Sequence, residues 1–422
     1  MNKGLQYLTM MALLSVQDAK SAILSQFKPV STEIVSINNA IGFTMAAEVT
    51  APFDLPLFDN SSVDGFAVRA EDIRSFFDGQ GCTLPVVADI PAGADSSVQL
   101  QHGQAARIMT GAPIPSGADA VVMVENTDAD RAPAGSPLPK QVVIKKLINN
   151  GDNIRLCGAD LHMGDVLLQT GHTLRPQDIG MLAMIGQKNV LVYRQPKVAI
   201  FSSGDELATP GMHLRPGQIY DANSPMLEAM VDGLNCQVIP LGIAKDNRND
   251  VERVFELALG NEPDVIISSA GVGTGVYDYI KEVVGAEGKL DFWKVNMRPG
   301  KPLAFGNYRG VPFFGLPGNP VSSYVSFQVF ARPALCLLAG KGDVTMKKIR
   351  VTLGESVISD GRESYLRCVV TYESGRPVAR MAGHQGSGNL FSTVLANTLL
   401  IIPAGVVECA EGSEWDAWML DS

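Results

Sequence analysis

The central part of the chain alternates short apolar segments with amphipathic ones, and this alternation is the feature that most constrains the fold. Residues 197–203 read KVAIFSS, an apolar run suited to a strand that is buried on both faces. Ser224 and Pro225 are predicted to be the N-cap and the first-turn proline of a helix, because apolar residues follow them at helical spacing. A second stretch with helical spacing follows Asn249-Asp250. Strands that alternate with helices predict a parallel, doubly wound sheet with right-handed crossovers.

The full pattern predicts strands at 197–203, 237–243, 264–269, 302–306 and 311–315. It predicts helices from 224, 249 and 277, and a long helix from Asn319-Pro320 to about Gly340.

The flanking parts of the chain follow a different pattern, that of short β-strands. Between 51 and 150 we predict strands near 65–70, 84–90, 105–109, 119–125 and 141–146, separated by Gly- and Pro-containing turns. After 345, strands at 349–353, 364–371, 377–381, 398–402 and 415–419 suggest a small, separate β-barrel or sandwich. The fold class is therefore α/β plus β, in several domains.

Charge and cysteine spacing exclude several kinds of protein. With 34 Lys and Arg against 44 Asp and Glu, the net charge of −10 disfavours a general nucleic-acid binder. The six cysteines are scattered without a CxxC, and no HExxH occurs, so a standard zinc motif is absent and a cytoplasmic location is expected. No apolar run approaches the roughly 18 residues of a membrane span, and residues 12–28 read as a partly buried amphipathic helix rather than as an export signal.

Four loops follow predicted strands of the central region, and ligands of open parallel sheets bind outside the carboxyl ends of the strands. These loops contain the segments SSGDEL, AKDN, SSAGVGTG and GLPGNP. Three carboxylates, Glu206, Asp246 and Asp278, end or follow different strands, and they are candidates to converge on one Mg²⁺ ion.

The same edge carries candidate groups for binding an anion. Asn319 and Pro320 begin a helix whose first N–H groups are suited to an anion, and Lys294, Arg298 and Lys301 gather positive charge in an acidic chain. Taken alone, GLPGNP is also compatible with a tight connection, and the basic segment with a solvated strand end. Neither GxGxxG nor GxxxxGK[ST] occurs, so no dinucleotide fingerprint or P-loop is predicted.

Two further segments lie in the β-rich region, FDNSSVDGFAV and RIMTGAP. Their hydroxyl groups on Ser61, Ser62 and Thr110 are candidate donors to an anion, although as turn residues they need no function.

The motifs FDNSSVDGFAV, RIMTGAP, IRLCGAD, SSGDEL, GQIYDAN, SSAGVGTGVYD, MRPGKPLAFG and GLPGNPVSSYVSF occur in this order. In this combination the chain resembles the MoeA family of molybdopterin molybdenumtransferases, and also the C-terminal part of gephyrin. The resemblance extends from about residue 12 to 422.

The resemblance implies an elongated homodimer of four-domain subunits. Its domains would be a discontinuous N-terminal domain (1–50 and 151–184), an inserted β-rich domain (51–150), an α/β molybdopterin-binding domain (185–340) and a C-terminal β-barrel (345–422). It implies that molybdate is inserted into adenylylated molybdopterin with Mg²⁺-dependent cleavage of the adenylate, which releases AMP and molybdenum cofactor. The cleft would lie between the α/β domain of one subunit and the inserted domain of the other. A molybdopterin adenylyltransferase and apo-molybdoenzymes are expected as further partners, but neither nucleic acid nor a membrane.

The resemblance also assigns roles to residues of this chain. The implied catalytic residues are Asp64, Thr110, Asp160, Glu206, Asp246 and Asp278. The substrate-binding candidates, from the resemblance and from the loops above, are Ser61, Ser62, Ser269, Gly271, Lys294, Arg298, Lys301, Pro317, Gly318, Asn319 and Pro320. The third loop departs from the family pattern SGGVSVG, since Ala270 stands in place of Gly and Gly273 in place of Ser.

Two other functions stay open at this point. One is a molybdopterin adenylyltransferase that uses ATP, because the α/β domain is shared, although the inserted FDNSSVDGFAV domain argues against it. The other is a non-catalytic cofactor binder or scaffold, against which the intact acidic positions argue.

Overall fold

The computed structural model describes residues 13–95, 97–130, 136–269 and 279–420, without the side chain of Trp293. The chain forms two compact units. The first unit contains the residues up to Ala47, Thr170–Ala183 and Gln187–Ser422, and the second contains Glu48–Gln169 and Met184–Gly186.

A six-stranded sheet lies at the centre of the first unit. In spatial order its strands are Gln237–Ala244, Lys197–Ser203, Val265–Ser269, Val311–Leu316, Pro302–Tyr308 and Gly288–Lys294. The first four strands are parallel, and the last two continue the sheet in antiparallel pairs. The predicted parallel sheet is thus confirmed, with an antiparallel extension at one side.

Helices cover both faces of this sheet, which explains the continuous apolar runs in its strands. Val198 and Ile200 pack in a core with the helix Asn223–Asp232, whereas Ala199 and Phe201 pack in a second core with the helices Arg248–Gly260 and Tyr279–Glu287. Because successive strand residues point to opposite faces, a strand covered on both sides is apolar at consecutive positions, here from Val198 to Phe201.

The start of the helix Asn223–Asp232 differs from the prediction. Ser224 lies inside the helix, and the N-cap position is held by Ala222, which makes no capping bond. The carboxylate of Asp221, one residue earlier, takes over that role. Its Oδ1 accepts hydrogen bonds from the Asn223 and Ser224 N–H groups at 3.0 and 3.1 Å. An aspartate that precedes a helix satisfies the same free N–H groups as a capping serine.

The predicted long helix is a continuous helical run from Pro320 to Leu338 that consists of three segments. They are the α-helix Pro320–Ser326, the π-helical turn Phe327–Ala331 and the α-helix Arg332–Leu338. Pro333 has no N–H to donate to the preceding turn, which accounts for the local change of pitch. By length and composition this is a candidate membrane span, but 78% of it is buried within the protein, as in the core helix of a globular domain.

Other elements of the first unit precede the sheet or surround it. The helix Val16–Leu24 places Val16, Ala19 and Ile23 against the α/β core. Three strands, Thr32–Ser36, Asn189–Tyr193 and Thr44–Met45, form an antiparallel sheet, and the helix Pro176–Met184 lies between them in sequence.

The C-terminal part of the first unit is a closed five-stranded barrel. Its strands are Lys348–Leu353, Glu363–Glu373, Arg376–Met381, Thr398–Ile402 and Glu414–Met419. The barrel closes because Glu363–Glu373 pairs with Arg376–Met381 on one side and with Thr398–Ile402 on the other. All five strands agree with the predicted positions, and the barrel is confirmed. A short helix, Phe391–Leu395, and the strands Met297–Arg298, Val357–Ile358 and Glu408–Cys409 border it.

The second unit is built on a mixed five-stranded sheet. Its strands, in spatial order, are Ala120–Met123, Gly65–Val68, Ala105–Ile108, Cys82–Ile90 and Gln141–Ile144. The five predicted strands are all present, and a helix that was not predicted, Ala70–Phe76, packs beside them. Gly65 is required by close packing, since a Cβ atom there would lie 1.9 Å from the Val122 carbonyl oxygen. Short strands complete the unit: Val49–Thr50, Asn60–Ser61, Ile154–Arg155 and Val166–Leu168.

Candidate functional site

The predicted loops leave the sheet of the first unit at one edge. Ser202 lies beside Ser269, and Ser269 lies beside Leu316, so three neighbouring strands end together. The strand Pro302–Tyr308 begins at this edge, because it runs antiparallel to Val311–Leu316, and Lys294 pairs with Pro302. The segment 294–302 therefore belongs to the same edge. Of the third loop, Ser269 is described, whereas Ala270, Gly271, Gly273 and Asp278 lie outside the described residues.

A cavity of about 670 Å³ opens at this edge. Its wall includes five of the predicted residues, Glu206, Pro317, Gly318, Asn319 and Pro320. It also includes the last residues of the GQIYDAN motif, Ile219 to Asn223. The volume lies within the range that small-molecule sites occupy, and its position is the usual one for open α/β sheets.

Acidic side chains are gathered where the first and second loops meet. The Asp246 N–H donates to Asp205 Oδ1 at 3.3 Å, and the Asp205 N–H donates to Asp246 Oδ2 at 3.5 Å. Glu206 folds back over Gly204, where a Cβ atom would lie 2.6 Å from Glu206 Oε2. Sequence reasoning missed Asp205, although it lies in the same SSGDEL segment as Glu206.

This arrangement changes the acidity of Asp246. Burial raises the pKa of its carboxyl above the usual value, and the negative charges of Glu206 and Asp205 raise it further, against the hydrogen bond from the Asp205 N–H. A bound cation would reverse this effect, because an opposite charge favours the ionised form.

The acidic side chains of the first and second loops suit a divalent cation that is coordinated partly by the protein and partly by a bound substrate. Within the described ranges, no group of three or more His, Cys, Asp or Glu side chains is arranged to hold a metal ion by itself. Mg²⁺ is usually bound by one or two carboxylates together with substrate phosphates, rather than by a cage of protein ligands. Asp246 and Glu206 match that donor set, and Asp278 lies outside the described residues.

The predicted basic residues lie at the same edge of the sheet, and they differ in how far they are exposed. Lys294 and Lys301 are exposed, and Arg298 is half-buried. The strand Met297–Arg298 pairs with the barrel strand at Glu363 and Ser364. The Arg298 guanidinium lies 4.0 Å from the Asp360 carboxylate. Its charge is thus only loosely compensated by that aspartate.

The barrel contributes a loop to the cavity that the sequence did not indicate. Gly388 lines the wall, and Ser387 Oγ accepts a hydrogen bond of 3.1 Å from the Asn319 side chain. Asn319 does occupy the predicted N-cap position, but its side chain makes no capping bond. Arg367 supports this loop, since it is fully buried and its guanidinium donates to the Gly386 carbonyl at 3.1 Å. Burial lowers the pKa of Arg367 to about 10.

In the second unit, the two predicted motifs meet directly. Asp64 Oδ1 accepts hydrogen bonds from Thr110 N at 2.7 Å and from Thr110 Oγ1 at 2.8 Å. Both bonds favour the charged form and lower the pKa of the exposed Asp64 carboxyl. The main chain of Ser61 joins the same pair of motifs, since its carbonyl accepts from the Gly111 N–H at 2.8 Å.

The other predicted residues of the second unit are engaged in local bonds. The Ser61 hydroxyl donates to the Val63 carbonyl at 2.6 Å, and the Ser62 hydroxyl donates to the Asn153 carbonyl at 3.1 Å. Asp160 forms an exposed ion pair with Arg155, which lowers the pKa of the aspartate. The structure thus joins Asp64 to Thr110, whereas the binding role of the two serines stays a prediction.

We expect Thr110→Val to raise the pKa of Asp64, because one of two bonds to its charged form is lost. Thr110→Ser keeps the hydroxyl and should leave that pKa unchanged. Since the pKa is lowered by folding, the Asp64 contribution to stability is present above the unfolded-state pKa and is lost as pH falls through the folded-state pKa. A carbon-13 NMR titration of the carboxyl measures the shift, and an identical pKa in all three proteins would contradict the pairing.

Comparison with known proteins covers nearly the whole chain. Residues 14–186 match the "MoeA N-terminal region (domain I and II)", residues 199–336 the "Probable molybdopterin binding domain" and residues 350–420 the "MoeA C-terminal region (domain IV)".

Individual relatives give the same result. Molybdopterin molybdenumtransferase 2 of Mycobacterium tuberculosis is 36% identical over 413 residues, covering 96% of this chain and 99% of the relative. Molybdopterin molybdenumtransferase of Haemophilus influenzae is 38% identical over 330 residues, 78% of each chain. The crystal structure of the molybdopterin biosynthesis MoeA protein from Pyrococcus horikosii superposes with a TM-score of 0.79 at 30% identity, covering 97% of this chain and 100% of that one. The order along the chain of β-rich unit, α/β sheet and barrel agrees with these matches, which show that the chain belongs to the MoeA family.

Proposed function

We propose that this protein is a molybdopterin molybdenumtransferase of molybdenum cofactor biosynthesis. It inserts molybdate into adenylylated molybdopterin and releases AMP and molybdenum cofactor. The observation that carries the proposal is the cavity of about 670 Å³ at the carboxyl edge of the sheet in a member of the MoeA family. Glu206 and the helix start at Gly318 to Pro320 line this cavity, and the strands that precede Asp246 and carry Lys294 end at the same edge.

The acids of the first and second loops would hold Mg²⁺. Asp246 and Glu206 are the donors that the described residues supply, and Asp278 is the third proposed ligand. When bound, the ion would neutralise the phosphates of the substrate and polarise the bond that is cleaved. Asp205 holds the Asp246 loop in place through the paired N–H bonds between the two residues.

Positive groups on the other side of the edge would bind the anionic parts of the substrates. Lys294, Arg298 and Lys301 supply charge, and the main chain of Gly318 and Asn319 precedes a helix whose dipole favours an anion. Pro317 and Pro320 restrict this loop, so its N–H groups are held ready before the ligand arrives. Molybdate and the dithiolene held side by side would react as if at high local concentration.

The second unit would supply Asp64, Thr110 and Asp160, as the resemblance implies. We retain the four-domain division given above and the homodimer in which one subunit completes the cleft of the other. The exposed cross-strand pair Ile34 and Leu191, 73% and 38% exposed, is an apolar surface suited to self-association.

A cytoplasmic location accords with the state of the cysteines. All six are free thiols, and five of them are buried, with the pKa of Cys236 raised to about 12 by burial. Thiols kept in this form are typical of reducing compartments.

One assay distinguishes this function from its alternatives. The purified protein should release AMP from adenylylated molybdopterin in the presence of molybdate and Mg²⁺, and the product should activate an apo-molybdoenzyme. Pyrophosphate release from ATP and molybdopterin would instead support an adenylyltransferase. Tight binding of the adenylylated pterin without turnover would support a carrier or scaffold.

A further inference from the structure

The GQIYDAN motif places a buried side chain, that of Asn223, at the wall of the cavity. Asn223 is the first residue of the helix Asn223–Asp232 and only 8% exposed. The activity proposed above assigns it no role.

The Asn223 amide joins two neighbouring loops. Its nitrogen donates to Ser269 Oγ at 2.6 Å and to the Gly318 carbonyl oxygen at 2.7 Å. Because a carbonyl only accepts, the orientation of the amide is determined, with its nitrogen toward Gly318. One side chain thereby connects the end of the strand before the third loop with the loop that precedes the long helix.

The main chain of Asn223 is held in place by other hydrogen bonds than the two made by its side chain. The Asp221 carboxylate, 4% exposed, accepts from the Asn223 N–H at 3.0 Å. It also accepts from Ser202 Oγ at 3.1 Å and from Ser224 Oγ at 2.6 Å. This buried set of bonds fixes the start of the helix to the strand Lys197–Ser203, and the Asn223 side chain projects from a rigid base.

We propose that Asn223 is a positioning residue, which holds the Gly318 loop against the Ser269 strand end so that the main chain of 318–319 is in place for the anionic substrate. This inference rests on the proposed function for its kinetic consequence, but the bridge itself is testable without turnover. A substrate whose reacting groups are displaced by about 1 Å can react 100-fold more slowly.

Asn223→Asp is the sharpest test, because it keeps the shape and removes the donor. A carboxylate oxygen would then face the Gly318 carbonyl, with which it cannot bond, whereas the Ser269 hydroxyl can still donate to it. We expect hydrogen exchange, measured by mass spectrometry, to become faster in the segment 316–323 and to stay unchanged in 265–269.

Asn223→Ala removes both bonds without adding charge, and exchange should increase in both segments. Asn261→Asp, at the exposed C-cap of the helix Arg248–Gly260, is the matched control, because it also replaces a side-chain donor to a carbonyl, that of Leu257 at 2.8 Å, by a carboxylate. Asn261 does not line the cavity, so exchange in 316–323 and 265–269 should match the wild type.

Kinetics provide the second measurement. In the AMP-release assay, both Asn223 variants should lose roughly 10- to 100-fold in kcat, with a smaller change in KM. Wild-type exchange in both variants would overturn the bridge, and altered exchange with a wild-type kcat would overturn its positioning role. If the wild-type protein itself releases no AMP, the proposed function fails, and the exchange measurement still decides whether the bridge exists.

Discussion

Asp246→Asn should reduce the rate of AMP release by about 100-fold or more, while leaving the fold intact. The asparagine has the same shape but lacks the negative charge that would hold the cation, and removal of one group that stabilises transition-state charge typically costs 10²- to 10³-fold. The loss is measured as kcat for AMP release at saturating molybdate and Mg²⁺.

Glu256→Gln is the matched control for this variant. It also removes one carboxylate charge, but from an exposed ion pair with Arg309 on the outer part of the helix Arg248–Gly260. Its rate should equal that of the wild type. A rate within threefold of the wild type for Asp246→Asn would contradict the role of this acid.

The pKa of Asp246 also predicts how this variant behaves on heating. Because burial and the neighbouring acids raise that pKa, the folded protein binds a proton more readily than the unfolded chain. The unfolding free energy of the wild type therefore falls as pH rises between the unfolded and folded pKa values. At neutral pH, Asp246→Asn should have a higher Tm than the wild type in metal-free buffer, and the difference should disappear in acid below the unfolded-state pKa.

Phe255→Ala should lower the unfolding free energy of the α/β core by about 3–5 kcal/mol, the usual cost of such a truncation in a packed core. Phe255 is fully buried, and its ring lies 5.4 Å from that of Phe201, 4.5 Å from that of Tyr308 and 5.4 Å from that of Phe313, measured between centroids. The substitution therefore leaves a cavity in the middle of an aromatic cluster. Urea unfolding followed by circular dichroism gives the change.

Leu257→Ala on the same helix provides the comparison. Leu257 is 46% exposed, and truncation of an exposed side chain usually changes stability by no more than about 0.5 kcal/mol. Equal losses for the two variants would show that the apolar face of this helix is not the one that packs on the sheet.

Local patterns were sufficient to predict most of the fold. The segment KVAIFSS is apolar from Val198 to Phe201 because helices cover both faces of its strand, and its buried serines stand only at the end of the strand. The barrel strands were predicted as short apolar segments between turns, although residues 364–368 are buried consecutively rather than in alternation. The strand Gly288–Lys294 was not predicted, because charged residues interrupt its pattern at the end of the sheet.

The candidate site was predicted only where strand ends carry unusual residues. Glu206, Asp246 and Asn319 stand at such ends, whereas the bond from Asn319 to Ser387 joins residues 68 positions apart. No local signal in GHQGSGN indicates that this loop reaches the cavity. Asp221 was overlooked because Ser224-Pro225 offered a more familiar helix start, and only the structure shows which side chain satisfies the free N–H groups.

Anomalous diffraction from crystals grown with adenylylated molybdopterin and Mn²⁺, used in place of Mg²⁺, tests the account most directly. We expect one strong anomalous peak at coordination distance from the carboxylates of Asp246 and Glu206, with the phosphates of the ligand beside it in the cavity that Gly318 and Asn319 line. A pterin bound away from that cavity, or a metal peak that these two carboxylates do not touch, would contradict the account.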